Sequence, residues 1–300
     1  MQGIIVEAST NLYRIKTNEK EYVATARGKF KSVDLTPVVG DIVDFSPLEK
    51  EHSIVENEEN TAVLEKIHER KTYVKRPRLA NITQIIFVLS SKHPKPDLLL
   101  LDKQLAFAEF LHIRPIIVLN KIDLDDKKQF MEISKIYENI GYKVIRTMAK
   151  MGEGIEEIEA ILKNNISAFS GNSGVGKSTL INCLFKEDKT LEGEISIKNK
   201  RGKNTTTDVK LYELDNNTYI ADTPGFSTFD IYEIPYRDLY KYFIEFEEYV
   251  SNCKYIGCSH IKEEECGVKE GLKDGKISES RYNNYIKIYN ELKDREDHKW

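Results

Sequence analysis

Residues 171–178, GNSGVGKS, constrain this chain more than any other stretch. They lie between an apolar run (Ile166, Ala168, Phe169) and an amphipathic one (Thr179, Leu180, Ile181, Leu184, Phe185). That is the strand, turn and helix context in which G-x-x-x-x-G-K-[ST] becomes a phosphate cradle. Gly171, Gly174 and Gly176 permit backbone conformations that a Cβ would penalise, so the N–H groups of a loop that also holds Asn172, Ser173 and Val175 can converge on one anion. The helix opening at Lys177 adds its positive dipole end. Lys177 would neutralise the β- and γ-phosphates, the Ser178 hydroxyl would take one Mg²⁺ position, and Thr179 would complete the loop. The alternative is a chance match in a Gly-rich turn; with these flanks, a bound nucleoside triphosphate is the expectation.

Three hundred residues with 40% hydrophobic content suggest about two or three domains. The net charge of −4 gives no sign of a nucleic-acid partner, so any such site must be a local patch. The N-terminus lacks a basic region followed by an apolar core, and no run approaches the ~18 apolar residues of a spanning helix. A soluble, cytoplasmic chain with no membrane partner is expected. Three of the four cysteines crowd into residues 253–266, which in a reducing compartment favours metal over disulfide.

Residues 1–70 read as short strands with turns: Gly3–Val6, Asn11–Ile15, Glu21–Thr25, Asp41–Phe45 and Ala62–Ile67. Their spacing predicts a small antiparallel barrel or sandwich, and an OB-like barrel suits the length. The stretch Arg27-Gly28-Lys29-Phe30-Lys31 mixes basic residues with an aromatic, as single-stranded RNA binders do, although a solvated basic turn has the same composition. After a basic linker around Pro77 (Lys71, Lys75, Arg76, Arg78), residues 71–234 alternate apolar strand with helix. That alternation predicts an α/β domain built on a doubly wound parallel sheet. From residue 235 to 300 the strand signal vanishes, and residues 236–250 and 278–293 carry apolar positions at helical spacing.

Asp222-Thr223-Pro224-Gly225 follows an apolar strand, 51 positions after Gly171. At such a strand end Asp222 would hold Mg²⁺, directly or through water, and the Gly225 N–H would meet the γ-phosphate. Asn120-Lys121-Ile122-Asp123 closes the strand Pro115–Leu119. The Asp123 carboxylate, an acceptor, can take both the N1–H and the N2–H₂ of guanine, a donor pair that adenine does not offer. A carboxylate buried unpaired against adenine would reject that base. Asn120 would bond the base and tie nearby loops together, and the Lys121 stem would pack on the base plane. Thr147-Met148-Ala149 follows the next strand, where a Ser-Ala loop would touch the guanine O6, but Thr-Met replaces that pair. GTP and GDP are therefore the expected ligands.

The order is unusual, because the Asn-Lys-Ile-Asp motif precedes the phosphate loop by 51 positions instead of following it. Ligands sit at the carboxyl ends of the strands in such sheets, so a circular permutation preserves the site, whereas a coincidental motif would leave the base pocket unassigned. Between Lys198 and Lys210 lies a polar stretch in the position of a switch loop. One of Thr205–Thr207, with Thr206 first, is expected to coordinate Mg²⁺ and contact the γ-phosphate. Gly225 is followed by Phe226 and not by a Gln that could orient water, which predicts slow intrinsic hydrolysis stimulated by a large partner. Cys253, Cys258, His260 and Cys266 have the makings of a closed tetrahedral Zn²⁺ site, in a region that reads as short of core residues. Disulfides are the alternative there.

Taken together, RGKFK, PVVGD, NKID, GNSGVGKST, NTTT, DTPGF, the Cys-Cys-His-Cys site and Gly275-Lys276-Ile277-Ser278 with Arg281-Tyr282 resemble the circularly permuted GTPases of small-ribosomal-subunit assembly, the RsgA (YjeQ-like) family. The resemblance implies an OB-fold barrel, a permuted P-loop GTPase domain and a C-terminal α-helical zinc-binding domain. The first and last would bind 16S rRNA on the 30S subunit, whose contact would stimulate GTP hydrolysis during late maturation; apart from the resemblance, a monomer is expected. Members usually carry a His just before the switch threonines, with a suggested catalytic role; here that position is Asn204. Asn cannot act as a base at neutral pH but can orient a water. Lys177, Thr206, Gly225 and Asn204 are thus the catalytic candidates. The rival readings are an RNA-binding scaffold with structural GTP and an ATP-dependent small-molecule kinase.

Overall fold

The computed structural model describes residues 1–26, 30, 36–49, 60–125, 128–185, 209–222 and 231–298. Five strands, β1 (Gln2–Ser9), β2 (Leu12–Lys16), β3 (Glu21–Ala26), β4 (Ile42–Pro47) and β5 (Thr61–Ile67), curl into a barrel; β2 and β4 alternate more and less buried side chains, while β1 and β3 each bury three residues in a row. The ring closes because β1 pairs with both β2 and β4, while β5 joins β4 antiparallel to β3 parallel. This is the expected small barrel.

Residues 71–80 are more than a basic linker: β6 (Tyr73–Lys75) and β7 (Arg78–Ala80) form a hairpin that packs on the barrel. The apolar positions Val74, Leu79 and Ala80 are buried, and the charged residues that dominate the composition sit at the turn. The PVVGD segment receives this hairpin. Val39 bridges Leu79, and Gly40 at φ +88° lies where a Cβ would meet the Ala80 carbonyl oxygen at 2.0 Å. Asp41, fully buried, accepts from Arg70 Nε and Nη2 at 2.7 and 2.8 Å, a two-point pairing that raises the Arg70 pKa.

The α/β region contributes β8 (Gln84–Ser90), α1 (Leu98–Phe110), β9 (Arg114–Asn120), α2 (Gln129–Ile140), β10 (Lys143–Thr147), α3 (Ile155–Leu162), β11 (Ile166–Ser170), α4 (Lys177–Phe185), β12 (Lys210–Asp215) and β13 (Thr218–Asp222). Strand β8 is buried throughout and β9 nearly so, as both-face-covered parallel strands must be. The order β10-β9-β8-β11-β13-β12 is parallel except for the β12–β13 pairing. The strand before the phosphate loop, fourth of these six in sequence, therefore lies inside the sheet. The helix expected from Asp125 begins at Gln129, where Asp125 accepts from the Gln129 and Phe130 N–H groups. One Glu7–Lys210 pairing joins β1 to β12, so barrel and α/β sheet are hydrogen-bonded into one.

The C-terminal region is helical, but residues 236–246 form 3₁₀ turns (Tyr236–Tyr242, Ile244–Phe246) followed by α5 (Glu247–Val250). Then come α6 (Gly267–Lys273), which the sequence reading missed, and α7 (Glu279–Asp297). The expectation of a core-poor region was wrong. Ile231, Ile234, Leu239, Phe243, Phe246, Tyr285, Ile288 and Leu292 form an apolar cluster with Ala106 of α1. Periodicity missed it because aromatics on irregular 3₁₀ turns supply much of its volume.

Candidate nucleotide and metal sites

Loop 171–176 leaves the carboxyl end of β11, between β8 and β13. Gly176 has φ +101°, and a Cβ there would meet Asn120 Nδ2 at 2.3 Å, so only glycine lets the two motifs approach. The Lys177 ammonium donates to the carbonyl oxygens of Gly171 (2.6 Å) and Asn172 (3.0 Å), and burial lowers its pKa. Ser178 is exposed on the first turn of α4, Ser173 and Gly174 are exposed in the loop, Thr179 is half-buried and Val175 is buried. Asp222 closes β13, in the strand directly beside β11.

Sheet register delivers the second motif to the same edge, since Ser90, Asn120 and Thr147 lie opposite one another at the ends of β8, β9 and β10. Buried Asn120 donates from Nδ2 to the Val175 carbonyl (2.9 Å), while its Oδ1 accepts from Thr147 Oγ1 (3.0 Å) and Ala149 N (3.3 Å). Lys121, in the left-handed region at φ +62°, donates from Nζ to the Gly174 carbonyl (2.6 Å) and the His93 carbonyl (3.2 Å). Asp123, on the 3₁₀ turn Ile122–Leu124, is exposed. Its penalty against adenine would therefore arise only beneath a bound base.

Thr147 spends its hydroxyl on Asn120, and the loop's link to that side chain comes from the Ala149 N–H. Two participants escaped the sequence reading. Ser91 Oγ donates to the Lys121 carbonyl (2.9 Å), and Cys183 Sγ to the Ala149 carbonyl (3.2 Å). Neither belongs to a motif. Thr205–Thr207 with the preferred Thr206, Asn204, Gly225, Phe226 and the basic positions Arg27, Lys29 and Lys31 lie outside the described residues.

Cys253, Cys258, His260 and Cys266 converge, with all donor atoms within 4.8 Å of one another. The Cys253 and Cys266 sulfurs are 3.9 Å apart, and His260 Nδ1 is 3.5 Å from each. Tetrahedral ligands at ~2.3 Å (S) and ~2.0–2.1 Å (N) would be separated by about 3.8 and 3.5 Å, so these spacings fit zinc. All four thiols of the chain are free. Burial raises the Cys266 thiol and pushes Cys258 up to about 12, and a divalent cation is the natural counter-charge that would make them thiolates. The loop is fixed from behind by Tyr282 and Tyr285 hydroxyls donating to the carbonyls of His260 (2.7 Å) and Ser259 (2.9 Å).

Among known families, the one described as RsgA GTPase matches residues 67–232, and the RsgA N-terminal domain matches residues 2–55. A small ribosomal subunit biogenesis GTPase RsgA of Clostridium novyi is 40% identical over 300 residues, covering 100% of both chains. That of Alkaliphilus metalliredigens is 37% identical over 292 residues, 97% of this chain and 98% of its own. The crystal structure of YjeQ from Thermotoga maritima superposes with a TM-score of 0.81 at 35% identity, covering 97% of this chain and 98% of that one. YloQ, described as a circularly permuted GTPase, gives 0.79 at 29% identity, covering 98% and 95%.

Proposed function

The chain belongs to the RsgA GTPase family, and on that footing we propose that it hydrolyses GTP to GDP in late maturation of the small ribosomal subunit, binding 16S rRNA and stimulated by the 30S particle. The observation that carries the nucleotide reading is the Asn120–Val175 hydrogen bond, which joins the guanine-type motif to the phosphate loop at one sheet edge.

Within that reading the residues divide the work by chemistry. Backbone N–H groups of Gly171–Gly176 and the α4 N-terminus bind the phosphates, and Lys177 offsets their charge. Asp123 selects guanine by its two acceptor oxygens, held at the site by the Asn120 and Lys121 anchors. Ser178 and Thr206 would hold Mg²⁺, with Asp222 beside them, and that ion supplies charge neutralisation when bound. Gly225 reports the γ-phosphate, and Asn204 orients water, with no general base among the residues named. The Cys₃His set would hold structural zinc, since its four converging donors suffice to fill a tetrahedral shell. A cytoplasmic monomer is the accompanying expectation. No helix among the described residues is long and apolar enough to cross a membrane.

Co-sedimentation with purified 30S particles tests the assignment. Binding should depend on a GTP analogue and weaken steeply with salt. Equal binding with GDP and with the analogue would contradict the nucleotide-gated part of the proposal.

A further inference from the structure

His260 is buried, and its Nδ1 faces the sulfurs of Cys253 and Cys266 at 3.5 Å each. A metal-binding histidine is ordinarily aimed through its second ring nitrogen, which donates to a carboxylate or a carbonyl. Here Nε2 is buried with no hydrogen-bond partner among the described residues. The imidazole is instead surrounded by rings, with Tyr240, Phe246 and Tyr285 at 5.2, 6.1 and 6.5 Å between centroids. Such packing limits tilt but supplies no directed bond. The backbone adds a second demand. His260 has φ +60°, in the left-handed region that a bulky L-residue keeps only where its surroundings impose it.

Glu263 imposes it. Its Oε1 accepts from the Ser259 N–H at 3.0 Å, and its Oε2 from the N–H groups of Ile261 (3.3 Å) and Lys262 (3.2 Å). The Ser259 hydroxyl lies 3.0 and 2.9 Å from the two oxygens and donates to the same carboxylate. One side chain thus gathers the residues on both sides of His260. From α7, the Tyr282 hydroxyl donates to the His260 carbonyl at 2.7 Å. A solvated acidic run would account for the composition of residues 263–265, but not for a half-buried carboxylate turned onto the N–H groups that flank a left-handed histidine. We propose that Glu263, together with Tyr282, is a positioning residue of the metal centre. The two fix the turn that carries the imidazole, and so aim Nδ1 through the main chain where Nε2 has no bond to do it. The proposal rests on the zinc reading above.

The test uses the full-length, zinc-loaded protein challenged with a graded series of a chromogenic chelator, and the same variants loaded with Co²⁺, whose absorption bands report the donor set and its geometry. Glu263→Gln keeps one acceptor oxygen and turns the other into a donor, and it should weaken zinc retention about ten- to a hundredfold. Glu263→Asp, which keeps both acceptors on a shorter stem, should recover part of that, and Tyr282→Phe should lose less. Exposed Glu264 supplies the control: Glu264→Gln removes the same charge one position away and should stay within about twofold of wild type. Bound Co²⁺ in Glu263→Gln should show shifted bands, because His260 no longer completes the tetrahedron; a chain that is merely less stable would bind less metal with an unchanged spectrum. GDP affinity within about twofold of wild type certifies the fold of each variant, and Glu263→Asp with Tyr282→Phe carry the comparison if Glu263→Gln fails it. Zinc retention in Glu263→Gln within about twofold of wild type would overturn the proposal, as would equal losses in Glu263→Gln and Glu264→Gln, which mark charge alone. Failure of the zinc reading would look different and would overturn both: the wild-type protein itself would hold no stoichiometric zinc.

Discussion

The Asn120 side-chain amide donates to the Val175 carbonyl at 2.9 Å, across 55 positions of chain, and by this bond the two nucleotide motifs share one edge of the sheet. Their order along the chain is reversed relative to an unpermuted GTPase, yet the bond needs only the spatial order of strands. Because β9 and β11 flank β8, the carboxyl ends of all three open on the same crevice.

Guanine selection follows from Asp123. Asp123→Ala removes an acceptor pair that bonds two base N–H donors through a charged group, each such bond contributing about 1.5–3 kcal/mol. Titration with fluorescent GDP should show a loss of roughly a hundredfold or more, with no matching gain for ADP. Unchanged GDP affinity would remove this residue from the pocket.

Gly176→Ala should separate binding from folding. The new Cβ would stand 2.3 Å from Asn120 Nδ2 in a left-handed backbone that costs about 1–2 kcal/mol for an L-residue. Guanine-nucleotide affinity should drop at least about tenfold, whereas the unfolding midpoint of the ligand-free protein should fall by only about the few degrees that this strain implies.

Arg281 tests the junction between the α/β region and the C-terminal helices. It is buried, pairs with Asp102 at 2.7 Å and Glu245 at 2.8 Å, and shares Asp102 with Asn284 and Tyr137 at 2.7 Å each. Burial drives the Asp102 pKa upward, and Arg281 with those hydrogen bonds opposes it. Arg281→Met strands two buried carboxylates and should cost about 3–5 kcal/mol in urea unfolding. Adding Asp102→Asn should recover part of that loss, since Glu245 alone then remains unpaired.

Metal removal should act on the C-terminal core first. Chelation or Cys266→Ser takes away the fixed point of the 253–266 loop, whose carbonyls receive the Tyr282 and Tyr285 hydroxyls. The expected outcome is one zinc per chain in the untreated protein and a lowered unfolding midpoint without it. Turnover should fall more than GDP affinity, because Ile231 and Ile234 sit in that core.

Much of this was legible in the sequence because motif and context coincided. GNSGVGKS followed an apolar strand, NKID closed another, and the spacing of three cysteines and a histidine gathered the four donors now found within 4.8 Å. The barrel strands showed through their short length and regular spacing between turns. What stayed hidden was carried by residues whose role depends on distant partners. Thr147 looked like half of a weak base-contact motif until its hydroxyl was seen on Asn120. His260 and Tyr282 are 22 positions apart, and no local pattern links them. The β6–β7 hairpin was masked by its own charge, since its three buried residues are interrupted by a Lys-Arg-Pro-Arg turn.

The most direct test of the account is single-turnover GTP hydrolysis by the purified protein, with and without 30S subunits. Slow hydrolysis alone and a large acceleration by the subunit, absent for ATP and lost in Lys177→Ala, is the predicted result. A rate that the subunit leaves unchanged would contradict it.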